Sequence, residues 1–289
     1  MKEALRICQK AIFFSIGYIF IVGSFTYAGS LLTGIDLDKS ATQSISMAGL
    51  FLKIFELTGT LLTIWIFMKY VNKERLPAIR LKSGVRKEIL FGILTSLAIM
   101  LAGFSILLLC RQIEVSAINF NVANLLLSIG IFICIAITEE ALVRGYILRK
   151  LMRHYNKWTA LIISSVIFSL MHILNPHITA ISIVNLFLAG IILGLPFIFT
   201  GNLWCSIAFH FGWNFFQSLF GFSVSGTNFQ SVVIQKHQIN NLWTGASFGF
   251  EGSVICILFQ ILTIAFFYYL YKKKLTTIPV IALSTVLSN

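Results

Sequence analysis

Charged residues are scarce in this chain: Asp, Glu, Lys and Arg make up 11% of the 289 residues, whereas hydrophobic residues make up 57%. There are only four prolines, and neither a Pro-rich linker nor a low-complexity segment is present. The five cysteines show no paired spacing, so they predict neither disulfide bonds nor a thiolate metal site: Cys8, Cys110, Cys134, Cys205 and Cys256.

Long apolar stretches take up most of the sequence, which has a mean hydropathy of +0.89. A helix of about 20 apolar residues crosses a hydrocarbon core of about 30 Å. The chain is therefore predicted to be an all-α, polytopic membrane protein, one membrane domain over 1–289 with about eight transmembrane helices. The stretches are 12–32, 45–68, 89–109, 122–138, 160–174, 178–199, 203–222 and 252–271. The first of these exceeds 20 residues and lacks a small-x-small cleavage pattern, so we expect an uncleaved helix.

Basic residues are concentrated between alternate stretches, near 2–10, 69–87, 149–157 and 272–274, while the remaining loops keep only Lys39, Arg111 and Lys236. By the positive-inside rule this bias predicts a multi-pass protein of the cell membrane with both termini cytoplasmic. The net charge of +12 is therefore a topology signal. Because the basic residues lie in short loops, we expect the lipid bilayer as a partner and no nucleic acid.

Some polar features of the apolar stretches are explained by packing. Lys53 and Glu56 stand three apart on one helix and can neutralise each other as a structural pair. Gly190 and Gly194 have the small-xxx-small spacing that lets helix backbones approach closely. His154, His177 and His237 lie in or near loops and are assigned no chemical role.

Two adjacent glutamates, Glu139 and Glu140, end the stretch 122–138. A carboxylate inside a bilayer is costly and is by default a functional-site hypothesis. Glu140 and Arg144 are four apart in the acid-before-base order that favours an ion pair, whereas Glu139 is turned about 100° from Glu140. We therefore expect Arg144 to neutralise Glu140 and to leave Glu139 available for chemistry.

Two further stretches carry polar groups at helical spacing. FSLMH (168–172) places His172 one turn after Phe168, and HFGWN (210–214) places His210 and Asn214 on one face. At 1.5 Å per residue, Glu139, His172 and His210 lie about 21, 21 and 12 Å from the cytoplasmic ends of their spans. A lone histidine in an apolar helix is more often a packing residue, and an arginine beside two glutamates is more often a buried pair. The combination at matching depth favours a site.

Three motifs, EEALVR (139–144), FSLMH and HFGWN, resemble in that order the signatures of the CAAX-protease and bacteriocin-processing (CPBP) family of intramembrane proteases, also called the Abi family. The similarity extends through NLFLAG (185–190) and TGNLW (200–204), so it covers about residues 120–220, the expected catalytic core. Val143 departs from the pattern, because the family often has an aromatic residue before the arginine.

The resemblance implies an intramembrane endopeptidase that hydrolyses peptide bonds near the cytoplasmic side. Glu139 would activate a water together with His172, and His210 and Asn214 would stabilise the oxyanion, while Glu140, Arg144 and Phe168 would support the geometry. Amide hydrolysis needs both functions, since water is a poor nucleophile and the tetrahedral intermediate is an anion. The partner would be a peptide or protein substrate, which can itself be membrane-anchored.

The sequence leaves the metal question open. Glu139, His172 and His210 form a Glu plus two His set that can hold a catalytic zinc. There is, however, no His-Glu-x-x-His helix, and a glutamate that binds the metal could not also be the base. We favour the metal-free mechanism, with no cofactor and zinc as the alternative.

Two other classes of function are alternatives to a peptidase. A proton-coupled transporter would use paired acids and histidines as a relay, but it predicts internal repeats and broken helices in both halves, and neither is visible. A catalytically silent scaffold or immunity protein of the same family would be expected to lose the motifs, which are intact.

Overall fold

The computed structural model describes residues 2–37, 45–74, 85–237 and 242–276. Within these residues it contains eight helices of 15 residues or more, and each overlaps one predicted stretch. They are α1 (Lys2–Thr33), α2 (Met47–Ile66), α3 (Val85–Leu109), α4 (Val122–Glu140), α5 (Lys157–Met171), α6 (Ala180–Thr200), α7 (Trp204–Leu219) and α8 (Val254–Thr276).

Six of these helices are long and apolar enough to cross a membrane. Helices α5 and α7 are the two exceptions, with 15 and 16 residues. Large apolar side chains are exposed on the outside of the bundle, among them Phe20 at 74% and Leu32 at 76% on α1. The protein is thus a helical, multi-pass membrane protein, as the composition predicts.

Helix α4 does not stop where its apolar run ends. It continues without a break into a π-helical segment, Ala141–Leu148, and a last α-helical turn, Arg149–Leu151. A similar π segment, Phe67–Val71, follows α2. Single π turns in membrane helices often lie at functional sites, and here the longer π segment begins directly after the two glutamates.

Helix α5 ends earlier than the predicted stretch 160–174. It begins after Asn156, whose side chain accepts from the backbone N–H groups of Trp158 and Thr159, and it ends at His172, which caps the carboxyl end. The stretch remains apolar through Leu174, so hydropathy alone does not show the end. The early end leaves His172 at the rim of the helix rather than within it.

Contacts between helix ends define two ends of the bundle. Asn202 donates to Glu88 at 2.8 Å, and Glu74 forms ion pairs with Lys150 and Arg153. The first contact joins the start of α7 to the start of α3, and the ion pairs join the end of α2 to the end of the segment that continues α4. We call this end the basic end, because it also carries Lys69, Arg86, Arg149, Lys157 and Lys272.

The opposite end carries a small antiparallel sheet and is called the hairpin end. Strand β1 (Ile113–Ile118), between α3 and α4, pairs with β2 (Val233–His237), between α7 and α8. Nearby, Nδ2 of Asn185 at the start of α6 donates to the carbonyls of Glu251 and Ser253 at 2.8 and 2.9 Å. These bonds tie the segment before α8 to the same end.

Helices α5 and α6 pack at very short range through two glycines. A Cβ on Gly190 would lie 2.7 Å from the Cα of Ser165, and one on Gly194 would clash with Leu161. This confirms the predicted packing role of the pair and sets the position of His172 relative to α6.

Several sequence predictions concern residues outside those described. Most of the basic loop between α2 and α3 (75–84), Lys39 in 38–44, and the carboxyl terminus (277–289) belong to this group. Their predicted location relative to the membrane stays a prediction.

Candidate active site

The two adjacent glutamates at the end of α4 lie in different surroundings. Glu140 is completely buried, whereas the side chain of Glu139 is 22% exposed and lines a cavity. Successive residues of a helix point about 100° apart, so one carboxylate faces the packed interior and the other faces open space. The two groups therefore cannot do the same job.

Glu140 and Arg144 form the buried ion pair that the sequence predicts. Nη1 of Arg144 donates to Oε1 of Glu140 at 2.8 Å, and Nη2 donates to the carbonyl oxygen of Gly190 at 3.1 Å. The guanidinium lies 4.4 Å from the ring centroid of Phe168, a cation–π contact. Arg144 thereby connects α4, α5 and α6 at one point.

Glu140 has a second partner that the sequence does not indicate. Nδ1 of His210 lies 2.8 Å from Oε1 of Glu140. A carboxylate oxygen accepts, so Nδ1 carries the proton and donates, and Nε2 of the same ring points towards Glu139. Glu140 thus accepts hydrogen bonds from Arg144 and His210 and fixes the orientation of the imidazole.

His172 is oriented by the backbone of its own helix. Its Nδ1 lies 2.9 Å from the carbonyl oxygen of Phe168, which can only accept, so Nδ1 donates and Nε2 is left without that proton. The ring also packs against Phe168 at a centroid distance of 4.9 Å. Phe168 therefore contacts Arg144 on one side and His172 on another.

Three groups converge at one place in the cavity. Oε2 of Glu139 lies 3.7 Å from Nε2 of His172 and 3.8 Å from Nε2 of His210. Within the described residues this oxygen has no hydrogen-bond partner. With both rings neutral, all three atoms are acceptors, so together they can hold a group that donates two hydrogen bonds, such as water, or a cation.

The same three groups can be tested against zinc. A Glu and two His are suitable ligands, and zinc bonds of about 2.0–2.2 Å place two tetrahedral ligands roughly 3.3 Å apart. The observed separations of 3.7 and 3.8 Å are wider. Among the residues described, no group of three or more His, Cys, Asp or Glu has the arrangement of a metal site. The residue types fit zinc, and the spacing fits it less well.

Asn214 lies one helical turn after His210 on α7 and is 5% exposed. It lines the same cavity as Glu139. Its side-chain amide makes no hydrogen bond to the described part of the chain, so its N–H groups are available to a ligand. All four residues to which the sequence analysis gives a catalytic role are thus brought together around one cavity.

The cavity has a volume of about 290 Å³ and is lined by α1, α2, α4 to α8 and the connection after α7. Lys53 and Glu56 also line it, and they form the predicted ion pair at 2.7 Å. The sequence indicates their pairing because they are three residues apart. It does not indicate that the pair faces the cavity of Glu139.

Two further lining residues have no motif and are missed by sequence reasoning. Oε1 of Glu251 accepts from Nε1 of Trp213 at 2.9 Å, and its Oε2 accepts from the backbone N–H and the hydroxyl of Ser225 at 3.0 and 2.7 Å. Gln260 is 1% exposed, and neither amide atom has a hydrogen-bond partner among the described residues. Its polar side chain within the stretch 252–271 is the one signal that could have marked it.

Residues 121–216 match the model of the family described as "Rce1-like: Type II CAAX prenyl endopeptidase Rce1-like". No curated protein and no solved structure matches the chain. The matched segment runs from the start of α4 into α7 and includes Glu139, Arg144, His172, His210 and Asn214. The family resemblance predicted from the three motifs is therefore confirmed over these residues, which are similar to the Rce1-like type II CAAX prenyl endopeptidases.

Proposed function

We propose that the protein is an intramembrane endopeptidase that uses a glutamate-activated water. The observation that carries the proposal is the convergence of the Glu139 carboxylate with Nε2 of His172 and His210 in one cavity. The family match over 121–216 supports the reaction class. A carboxylate base beside acceptor nitrogens can activate water for amide hydrolysis, because water must lose a proton as it attacks.

In the proposed reaction, a water molecule donates one hydrogen bond to Glu139 and the other to Nε2 of His172. As the water oxygen attacks the peptide carbonyl carbon, its proton passes to Glu139. The proton is then delivered to the departing amine nitrogen as the C–N bond breaks. His172 can accept this hydrogen bond because its Nδ1–H donates to the backbone carbonyl oxygen of Phe168, which fixes the orientation of the ring.

The oxyanion of the tetrahedral intermediate needs donors. We assign Asn214 and His210 to this role. Nδ2 of Asn214 donates directly. His210 donates through Nε2 when the ring carries two protons, since Nδ1–H is already held by Glu140. Glu140, Arg144 and Phe168 act by positioning the rings rather than by contact with substrate.

We further propose that all eight helices cross the membrane, that 1–289 forms a single membrane domain with 120–220 as catalytic core, and that both termini are cytoplasmic. The charge bias between the basic end and the hairpin end supports this orientation. Helix α5 spans about 22 Å, so it needs the capping residues at its ends to complete a crossing. The substrate is a peptide or protein, and a membrane-anchored one can reach the cavity.

The test is peptide cleavage by the purified protein in detergent. We expect the wild type to cleave members of a quenched-fluorescent peptide library and Glu139→Gln to be inactive. Glu114→Gln, the same change on exposed β1, is the matched control and should keep wild-type activity. A silent scaffold or a transporter predicts no cleavage by the wild type, and cleavage by Glu139→Gln at the wild-type rate would refute the role of Glu139.

A further inference from the structure

The residues that line the cavity are unevenly distributed along the bundle, and this bears on where a substrate enters. The inference rests on the proposed peptidase function. Apart from Leu142 in the π segment that continues α4, the lining residues outside helices α1 to α8 lie towards the hairpin end: His172, Asn175, Val224, Ser225, Thr227, Phe229 and Glu251. Within the described ranges, none lies at 143–167, 194–208 or 261–276, where the helices approach the basic end.

The side chains that line the cavity also become more polar towards the hairpin end. The part farthest from the hairpin end is formed by apolar side chains, including Leu142, Leu193 and Phe209. The part nearest the hairpin end carries most of the polar side chains, Lys53, Glu56, Asn175, Ser225, Thr227 and Gln260, beside the apolar Val224 and Phe229. The cavity therefore extends from the catalytic groups towards the hairpin end and not towards the basic end.

Gln260 indicates what the part of the cavity nearest the hairpin end can bind. It lies six residues after the first residue of α8, in the half nearest the hairpin end. Both its amide N–H group and its amide oxygen are buried without a partner in the described part of the chain. A buried polar group needs a partner. A peptide bond offers an N–H and a C=O, so an extended peptide segment matches the pair.

The residues Asn175 and Ser225, at the hairpin end of the cavity, are called the rim. They are held in place by hydrogen bonds. Nδ2 of Asn175 donates to the carbonyl of Ser225 at 3.0 Å, which joins the α5–α6 connection to the connection after α7. Glu251 holds Ser225 from the other side and also holds Trp213 on α7. Trp213 directly precedes Asn214, so one carboxylate links the rim to the proposed oxyanion donor.

The charge bias indicates on which side of the membrane this rim lies. The basic end carries most of the Lys and Arg, including Arg149, Lys150 and Arg153, whereas Arg111 and Lys236 are the basic residues at the described hairpin end. The positive-inside rule assigns the basic end to the cytoplasm. In that orientation the hairpin end, towards which the cavity extends, faces away from the cytoplasm.

We infer that the peptidase receives its substrate from the extracytoplasmic face, so that its substrates are exported peptides or the outer parts of membrane-anchored proteins. This differs from the resemblance-based expectation of a reaction near the cytoplasmic side. The lining residues and the charge bias favour the opposite half of the membrane.

Sealed vesicles of known orientation test the inference. Right-side-out and inside-out vesicles are each given the quenched-fluorescent peptide library, with every peptide carrying a charged, membrane-impermeant tag. We expect cleavage by right-side-out vesicles, and cleavage by inside-out vesicles only after detergent opens them. Cleavage by intact inside-out vesicles alone would overturn the inference. Absence of cleavage in both orientations and in detergent would instead refute the peptidase function.

Accessibility of the rim gives a readout that does not depend on activity. In a cysteine-free background, Thr227→Cys should react with a membrane-impermeant maleimide in intact cells. Tyr155→Cys, an exposed position at the basic end, is the matched control and should react only after permeabilisation. Labelling of Tyr155→Cys but not Thr227→Cys in intact cells would place the opening in the cytoplasm and refute the inference.

Discussion

At the residue scale, a single buried carboxylate holds the site together. Oε1 of Glu140 accepts from Arg144 and from His210, each at 2.8 Å. Because Arg144 also binds the carbonyl of Gly190 and packs on Phe168, the removal of this one oxygen would release groups on three other helices. Among the described residues Glu139 makes no such contact, so its position is set by the helix and not by bonds of its own side chain.

The two glutamates are therefore expected to respond differently to substitution. Glu139→Gln should abolish cleavage and leave the free energy of unfolding nearly unchanged, because within the described ranges the nearest ion-pair partners of Glu139 lie at 3.7 and 3.8 Å, beyond hydrogen-bonding distance. Glu140→Ala should lower the free energy of unfolding by about 3–5 kcal/mol, since it leaves a buried cation unpaired. Denaturation in detergent and peptide cleavage measure the two effects. Equal destabilisation by both substitutions would contradict the division of roles.

His210 and Asn214 distinguish the metal-free mechanism from zinc. If both act on the oxyanion, His210→Ala and Asn214→Ala should each reduce kcat by roughly 10²–10³ with little change in substrate binding. If His210 is a zinc ligand, His210→Ala should abolish activity and metal content, and Asn214→Ala should cost only about 10–100-fold. Steady-state kinetics with elemental analysis decides between them. Stoichiometric zinc that is lost and restored together with activity would overturn the metal-free proposal.

Local spacing explains which contacts of the site the sequence predicts. Glu140 with Arg144 and Lys53 with Glu56 are one helical turn apart, so helix geometry alone places their side chains together. The bond between His210 and Glu140 joins residues 70 positions apart. It depends on how α4 and α7 pack, and one sequence does not encode that in any local pattern.

At the scale of elements, the eight helices follow from hydropathy, but their details do not. The π segment Ala141–Leu148 has no signal in the sequence, because it reflects a local change of backbone hydrogen bonding within a continuous helix. The end of α5 at His172 is also hidden, since the following Ile173 and Leu174 are as apolar as the helix itself. Both features lie at the site, where they set the direction of a functional side chain.

The close approach of α5 and α6 predicts that a larger residue at position 190 lowers both stability and cleavage. Gly190→Ala would place a Cβ 2.7 Å from the backbone of Ser165, so the helices must separate. We expect a loss of about 1–3 kcal/mol in the free energy of unfolding, typical of overpacking, together with reduced cleavage, because α5 carries His172 and Gly190 holds Arg144.

Gly23→Ala on α1 is the matched control, because a Cβ there would meet nothing within 4 Å. It should be neutral or slightly stabilising, since alanine favours a helix more than glycine does. Melting curves in detergent and cleavage assays compare the two variants. If Gly190→Ala behaved like Gly23→Ala, the short α5–α6 distance would not be a determinant of the site.

For the whole molecule, the sequence predicts the helices and the motif residues but not the complete cavity. The paired strand residues Ile118 and Val233 lie between predicted apolar stretches and far apart in sequence, so the small sheet at the hairpin end has no local signature. Glu251 and Gln260 join the cavity only because α8 packs beside α6 and because the preceding segment is bonded to Asn185. Both lie beyond the segment that matches the family, 121–216.

Membrane topology is the last prediction and tests the architecture as a whole. If α5 crosses the membrane, Tyr155 and Leu174, which flank it and are 45% and 93% exposed, must lie on opposite sides. If α7 crosses as well, Lys236 must lie on the side of Leu174. Single cysteines at these positions, in a cysteine-free background and treated with a membrane-impermeant maleimide, should be labelled in intact cells at 174 and 236 and only after permeabilisation at 155. Labelling of positions 155 and 174 from the same side would mean that α5 re-enters without crossing, and it would replace the eight-span architecture with one of fewer crossings.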